Sequence, residues 1–209
     1  MRSLVALRSL AASVALLVAA PLYAQQASLV YRLGKDTLAI EQYARTSTRL
    51  NGEMVQRVGA AVVRVLYDVT VGSDGRPTAA TIRRVQADGS SLANAPAETR
   101  FRVTADSVIR EVVWSDSVQR RAFAASGSLV NFPTFVYGPT ELLAGLRRAG
   151  DGADSVPALG AGGTLGFTGL ALASGDSVRL RGGPYPMVLR FDASRRLLSV
   201  DGSATTNKV

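Results

Sequence analysis

The chain has 209 residues, a formal net charge of +8, and neither cysteine nor histidine. This composition excludes Ser-His-Asp and Cys-His nucleophile systems, disulfides and zinc sites built from cysteine and histidine. Carboxylate-only chemistry and a hard-cation site made of oxygen ligands stay open. The arginines are scattered along the chain, which favours a solvated basic surface over nucleic-acid binding.

Residues 1–24 have the features of a secretory signal peptide. Arg2 and Arg8 give a positive start, the apolar run LAASVALLVAA follows, and Ala24 is a small residue at the expected cleavage point. The apolar run is shorter than the about 20 residues of a comfortable membrane span, so an uncleaved anchor is the less favoured alternative. We expect export to a periplasm or the cell exterior, with no membrane span after cleavage.

Alternating apolar and polar residues predict strands along most of the remaining chain. The clearest case is 60–86, where two long strands flank a turn at Gly72-Ser73-Asp74-Gly75. Asn51-Gly52 interrupts another strand and is a strong turn signal, so that segment reads as a kinked strand or a small hairpin. The other predicted strands are 28–33, 37–45, 48–58, 99–104, 108–114, 118–124, 155–159, 167–173, 178–181, 186–191 and 196–200.

The segment YGPTELLAGLRRAG predicts a short helix at about 139–149. Pro139 suits the first helical position, and Leu142, Leu143 and Leu146 form an apolar stripe. So many short strands joined by hairpin turns predict a mainly β fold, an antiparallel meander. We expect a curved sheet, half-barrel or open barrel, with the helix covering its concave face.

The sequence therefore predicts a single β-rich domain over 25–201 and a polar tail over 202–209. The hairpin meander, FVYGPTELLAGLRR and MVLRFDASRRLLSVDGS resemble an N-terminal β-rich module of secreted bacterial proteins of unknown function. That resemblance implies an exported domain that a C-terminal domain of unknown function usually follows. The architecture also resembles the LolA-like lipoprotein carriers, half-barrels with helical lids, although fold alone does not fix function.

Neighbouring arginines on a strand point to opposite faces, which suggests that one of each pair faces inward. We expect such an arginine to meet the anionic group of an apolar ligand held under the helix. In the alternative, the arginines are solvated or pair with Glu41, Asp68 or Glu111. The candidate ligand-binding residues are Arg83, Arg84, Arg120, Arg121, Leu142, Leu143, Leu146 and Tyr185.

Two functions are compatible with these patterns. The first is an exported, non-catalytic module that binds a lipid-like or apolar anionic ligand. The second is an accessory or structural domain with a filled core that acts through a protein partner or a missing C-terminal domain. No catalytic residue, metal ligand or cofactor is predicted, and a carboxylate-only hydrolase is a distant third.

Overall fold

The computed structural model describes residues 24–124, 129–131, 136–142, 155–160, 165–174, 177–181 and 187–202. Most of them lie in fourteen strands that form one sheet of eight strands (sheet I) and one of six (sheet II). The fold is mainly β, as predicted. Within the described residues, no helix has the length and apolar character needed to cross a membrane.

Sheet I is an open antiparallel meander in which each strand pairs with the next along the chain. Its strands lie close to the predicted ranges, because the alternation of apolar and polar residues marks them clearly. They are β1 Gln25–Leu33, β2 Asp36–Arg45, β3 Arg49–Val58, β4 Ala61–Val71, β5 Pro77–Gln86, β6 Glu98–Val103, β7 Ser107–Val113 and β8 Val118–Ala124.

Sheet II contains the later strands and has one feature that the sequence did not predict. Its first strand pairs in parallel with the second, whereas the prediction was antiparallel throughout. A strand of three residues is too short to show the alternation by which strands are recognised. The strands of sheet II are β9 Leu129–Asn131, β10 Ser155–Gly160, β11 Leu165–Ser174, β12 Ser177–Arg181, β13 Met187–Phe191 and β14 Leu197–Asp201.

The core lies between the inner faces of the two sheets. On β4, alternate residues from Val63 to Val71 are buried, which follows from the pleat of a strand with one covered face. Sheet II contributes buried side chains to the same cluster, among them Val178, Leu189 and Phe191. Sheet I therefore has an inner face against sheet II and an outer face on its other side.

Asn51-Gly52 does not form a turn, because β3 continues through both residues. Gly52 pairs with Tyr43 on one side and Tyr67 on the other. A Cβ atom on Gly52 would lie 2.5 Å from Tyr67 Oη and 2.6 Å from Tyr43 Cβ. The glycine therefore provides space for two tyrosine rings on the inner face, and the hairpin alternative is wrong.

The predicted helix is seen only at its start. A 3₁₀ turn spans Gly138–Thr140, with Tyr137 as the N-cap and Pro139 in the first turn. Leu142 follows it and is buried in the core. The rest of the predicted helix, and with it the cover over the concave face, lies outside the described residues.

Candidate functional site

Glu41 on β2 is a carboxylate buried in the core, with 0% of its surface exposed. Tyr31 Oη donates to its Oε2 at 2.5 Å, and Tyr67 Oη donates to its Oε1 at 2.6 Å. The backbone N–H groups of Tyr137 and Gly138 each donate to it at 3.0 Å. Glu41 thus caps the start of the 3₁₀ turn from a distant strand, where backbone N–H groups attract an anion.

Burial raises the pKa of Glu41, while the hydrogen bonds from Tyr31, Tyr67 and the two backbone N–H groups act to lower it. Burial, followed by the charge of Glu41, raises the pKa of Tyr67 and of Tyr31. Both hydroxyls therefore keep their protons and act as donors at neutral pH.

Glu141, just after the 3₁₀ turn, makes the reciprocal contact with sheet I. Its Oε1 accepts hydrogen bonds from Tyr43 Oη at 2.6 Å and from the backbone N–H of Leu197 at 2.7 Å. Arg45 Nη1 lies 3.4 Å from its Oε2. Burial, followed by the hydrogen bond to Glu141, raises the pKa of Tyr43. One carboxylate thus joins β2, the turn and β14.

We call the two carboxylates and their tyrosine partners (Tyr31, Tyr43, Tyr67) the glutamate clasp. Each oxygen of Glu41 already accepts two hydrogen bonds, which fills the acceptor capacity of a carboxylate. A catalytic carboxylate pair needs a lone pair or proton directed at a substrate. The geometry of Glu41 therefore fits a structural role, in which a buried charge is held by saturated hydrogen bonding.

The predicted pairing of Glu41 with an arginine is wrong, because its carboxylate accepts hydrogen bonds from two tyrosines and two backbone N–H groups instead. A periodicity signal could have found the clasp, because Glu41 lies in the same buried phase of β2 as Ala39 and Tyr43. A charged residue in the apolar phase of a strand must find partners in the interior. Two of its partners are tyrosines on neighbouring parts of sheet I, and the other two are backbone N–H groups nearly 100 positions away, which periodicity does not reveal.

The outer face of sheet I carries an open trough of about 770 Å³. The strand register arranges its side chains in two parallel rows that cross β1 to β5, with Ala27, Tyr43, Gly52 and Tyr67 along the line between them. Five strands span about 19 Å, and the rows are about 7 Å apart along the strands. One row is Ser28, Gln42, Glu53, Leu66 and Arg83, and the other is Gln26, Ala44, Asn51, Asp68 and Thr81.

Both carboxylates of the trough are held by arginines on adjacent strands. Arg64 Nε lies 2.5 Å from Glu53 Oε1, and its Nη2 lies 3.1 Å from Oε2. Arg49 Nε lies 2.9 Å from Asp68 Oδ2. Each hydrogen bond raises the pKa of the arginine concerned. Arg83 makes no ion pair among the described residues, which leaves it as the uncompensated charge lining the trough.

The four predicted arginines are all exposed. Arg83 lines the trough, while Arg84 follows it on β5. Arg120 Nε lies 3.8 Å from Glu111 Oε1, which matches the pairing alternative. The Arg121 guanidinium lies 5.0 Å from the ring centre of Phe123. Arg83 is thus the member of this set that lines the trough, and a ligand-binding role for any of them stays a prediction.

The remaining candidates are not brought together in the described part of the chain. Leu142 is buried in the core, where it packs in the cluster between the sheets. Leu143, Leu146 and Tyr185 lie outside the described residues. The described residues also contain no group of three or more acidic side chains placed to hold a metal ion.

Comparisons with known proteins bear on the fold. No protein family matches the sequence, and no curated protein matches it. The structure is similar to the crystal structure of a DUF1089 family protein from Pseudomonas aeruginosa, with a TM-score of 0.55. The two chains are 10% identical, and the similarity covers 80% of this chain and 91% of that chain. At this identity the similarity supports a shared fold, in a family whose name assigns no function.

Proposed function

We propose that this chain is an exported, non-catalytic domain that binds an apolar ligand with an anionic group, and that the ligand lies in the trough on the outer face of sheet I. The observation that supports it best is Arg83, an arginine without an ion-pair partner in the described structure, at one end of an open concave surface. A guanidinium in this setting suits a carboxylate or phosphate.

The trough also offers apolar surface for the rest of such a ligand. Ala44 and Leu66 line it with their side chains, and the stems of the long polar side chains add more. Two residues further along β1 and β2, Val30 and Ile40 extend the apolar surface on the same face. Because Glu53 and Asp68 are already paired, they add little repulsion against an anion.

This proposal places the ligand on the opposite side of sheet I from the site predicted under the helix. On that inner side Val136, Glu141 and Leu142 are buried against sheet I, and most of the predicted helix lies outside the described residues. The packing of these three residues supports the second candidate function, an accessory or structural domain that acts through a partner. A trough that binds nothing would leave that candidate as the better one.

The matched pair Arg83 and Arg84 allows a direct test with a fluorescent fatty acid. Both side chains are exposed neighbours on β5, but Arg83 lines the trough. We expect binding to the wild-type chain, a loss of tenfold or more in Arg83→Glu, and little change in Arg84→Glu. Equal binding by Arg83→Glu and wild type would exclude the trough as the site.

Native mass spectrometry of protein purified from its host would identify a natural ligand. A co-purifying lipid that Arg83→Glu loses and Arg84→Glu keeps would support the proposal. Absence of bound lipid from the wild-type chain, together with no fatty-acid binding, would favour the accessory domain. Export is tested separately, by N-terminal sequencing of the secreted or periplasmic protein, with a start near Gln25 as the expected result.

A further inference from the structure

Sheet I has two ends with different turns. The β1–β2 turn at Gly34-Lys35 and the β3–β4 turn at Gly59-Ala60 lie at the same end, because the first four strands form a regular meander. Both glycines have a φ of +61°, so each turn has the tight geometry that glycine favours. We call the ends of these two hairpins, residues 30–40 and 57–62, the tip end.

The tip end carries most of the exposed large apolar side chains in the described structure. Val30 is 49% exposed, Ile40 42%, Val58 51% and Val62 38%. The two others with comparable exposure are Val118, which lies beside the β7–β8 turn at the same end of sheet I but four strands from β4, and Leu198 on sheet II. At the opposite end of sheet I, the connections at 46–48 and 72–76 are composed of polar residues, glycine and arginine.

The same two hairpins carry three cations and one carboxylate. Arg32 and Lys35 lie at the β1–β2 turn, where Asp36 is the acidic residue, and Arg57 lies near the β3–β4 turn. All four are exposed. None of the three cations has an ion-pair partner among the described residues. These two hairpins therefore combine exposed aliphatic side chains with a net positive charge, whereas the other two connections at this end of sheet I carry the acidic residues Asp88 and Asp116.

We infer that the tip end docks on an anionic lipid surface, with the aliphatic side chains at the acyl boundary and the cations at the headgroups. Aliphatic side chains gain free energy on leaving water, and arginine and lysine are attracted to anionic lipids. Apolar surface surrounded by cations is the combination that peripheral membrane binding needs. This inference does not depend on a ligand in the trough, because Arg32, Lys35 and Arg57 do not line it; Val30 and Ile40 border the trough and belong to both surfaces.

A second copy of this chain or a protein partner fits the tip end less well. Two tips that met face to face would bring Arg32, Lys35 and Arg57 against the same cations of the partner copy, which is unfavourable. Protein interfaces are usually centred on aromatic residues, whereas Tyr31, in this hairpin, is 2% exposed. An anionic membrane matches the charge and does not require a shaped pocket.

The test is co-sedimentation of the chain, as its host produces it, with vesicles of phosphatidylglycerol and phosphatidylcholine or of phosphatidylcholine alone. We expect binding to the anionic vesicles that weakens as salt is raised. Removal of one cation should weaken partitioning of the chain onto the vesicles about fivefold. The double variant Lys35→Gln/Arg57→Gln should therefore bind on the order of 25-fold more weakly than wild type. Ile40→Thr with Val62→Thr should weaken binding even at low salt.

Matched controls lie elsewhere on the molecule. Arg102→Gln removes an exposed arginine near the opposite end of sheet I, and Leu198→Thr removes an apolar side chain that is 61% exposed on sheet II. Both should bind vesicles as the wild type does. The inference fails if wild type does not sediment with anionic vesicles, or if either control weakens binding as much as the tip variants. A dimer in solution that the tip variants dissociate would overturn it in favour of self-association.

Discussion

Ile40 and Glu41 are neighbours on β2, and each has the environment that the other's chemistry would suggest. Ile40 is 42% exposed on the outer face, whereas Glu41 is 0% exposed on the inner face. A strand sends successive side chains to opposite faces, so the phase of β2 fixes both environments together. This phase is set by the buried neighbours Ala39 and Tyr43, and it places the acid in the core and the isoleucine in solvent.

Glu41 and Ile40 carry different free-energy costs: a charge removed from water and an apolar side chain left in water. The buried charge of Glu41 is tolerated because four donors compensate for the water it has lost. The exposed surface of Ile40 has no such compensation within the described chain, and isolated exposure of this kind is ordinary. It becomes informative at the tip end because Val30 and Val62 are exposed on the same face. The inner residue thus supports the fold, and the outer group indicates an interaction.

The largest effect should come from Glu41→Gln. The amide keeps the size of the side chain but turns one acceptor oxygen into an NH₂ donor, which faces a backbone N–H or a tyrosine hydroxyl. We expect a loss of about 3 kcal/mol in unfolding free energy, because a buried donor is left without an acceptor. Urea denaturation followed by circular dichroism measures it, and a loss below about 1 kcal/mol would show that the clasp is not a main source of stability.

The same variant gives a pH test. Burial raises the pKa of folded Glu41 above its ordinary value of 4.5, so the folded state holds the proton to higher pH than the unfolded state. The contribution of Glu41 to unfolding free energy is therefore greatest near or below pH 4.5 and falls as pH rises towards the folded-state pKa. The difference between wild type and Glu41→Gln should shrink across that interval, and a difference that grows with pH would contradict the raised pKa.

Gly52→Ala should be the next most damaging change. The new Cβ would lie 2.5 Å from Tyr67 Oη and 2.6 Å from Tyr43 Cβ, so both tyrosines must move, which disturbs their hydrogen bonds to Glu41 and Glu141. Overpacking of this kind costs about 2 kcal/mol. Gly34→Ala is a contrasting control, because its cost comes from a φ of +61° and a Cβ there would meet no atom within 4 Å. The two should differ in near-UV tyrosine signal, which Gly52→Ala alone changes.

Gly52 also shows what sequence reasoning could and could not predict here. Strand positions in sheet I followed from local alternation, a property of neighbouring residues. The role of Gly52 depends on two tyrosines from adjacent strands, and that of Glu41 depends on Tyr137 and Gly138, far along the chain. The trough has the same origin, because its rows exist only once five strands are in register. The local sequence pattern therefore predicts the strands. The clasp and the trough depend on contacts between strands and turns, which the local pattern does not contain.

Tyr43→Phe tests the second half of the clasp with a smaller change. It removes the hydroxyl that donates to Glu141 Oε1 at 2.6 Å and leaves the ring beside Gly138. Glu141 keeps the backbone N–H of Leu197 and the guanidinium of Arg45. We expect a loss of about 1.5 kcal/mol, since a hydrogen bond to a charged group is worth about 1.5–3 kcal/mol. Denaturant unfolding measures it, and no loss would mean that Glu141 is held by its other two partners.

The smallest effect on stability should come from Ile40→Thr, the neighbour of the most sensitive position. Threonine keeps the β-branched shape that suits a strand, and Ile40 is already 42% exposed, so the unfolding free energy should change by less than about 0.5 kcal/mol. The same unfolding measurement as for Glu41→Gln makes the two neighbours directly comparable. A loss above about 1 kcal/mol would show that Ile40 is covered in the folded chain, and the exposed tip end would then have to be reconsidered. A small loss would show that the outer face of β2 contributes little to the stability of the fold. If the double variant Ile40→Thr/Val62→Thr also binds anionic vesicles more weakly, the outer face of β2 contacts lipid while its inner face stabilises the fold.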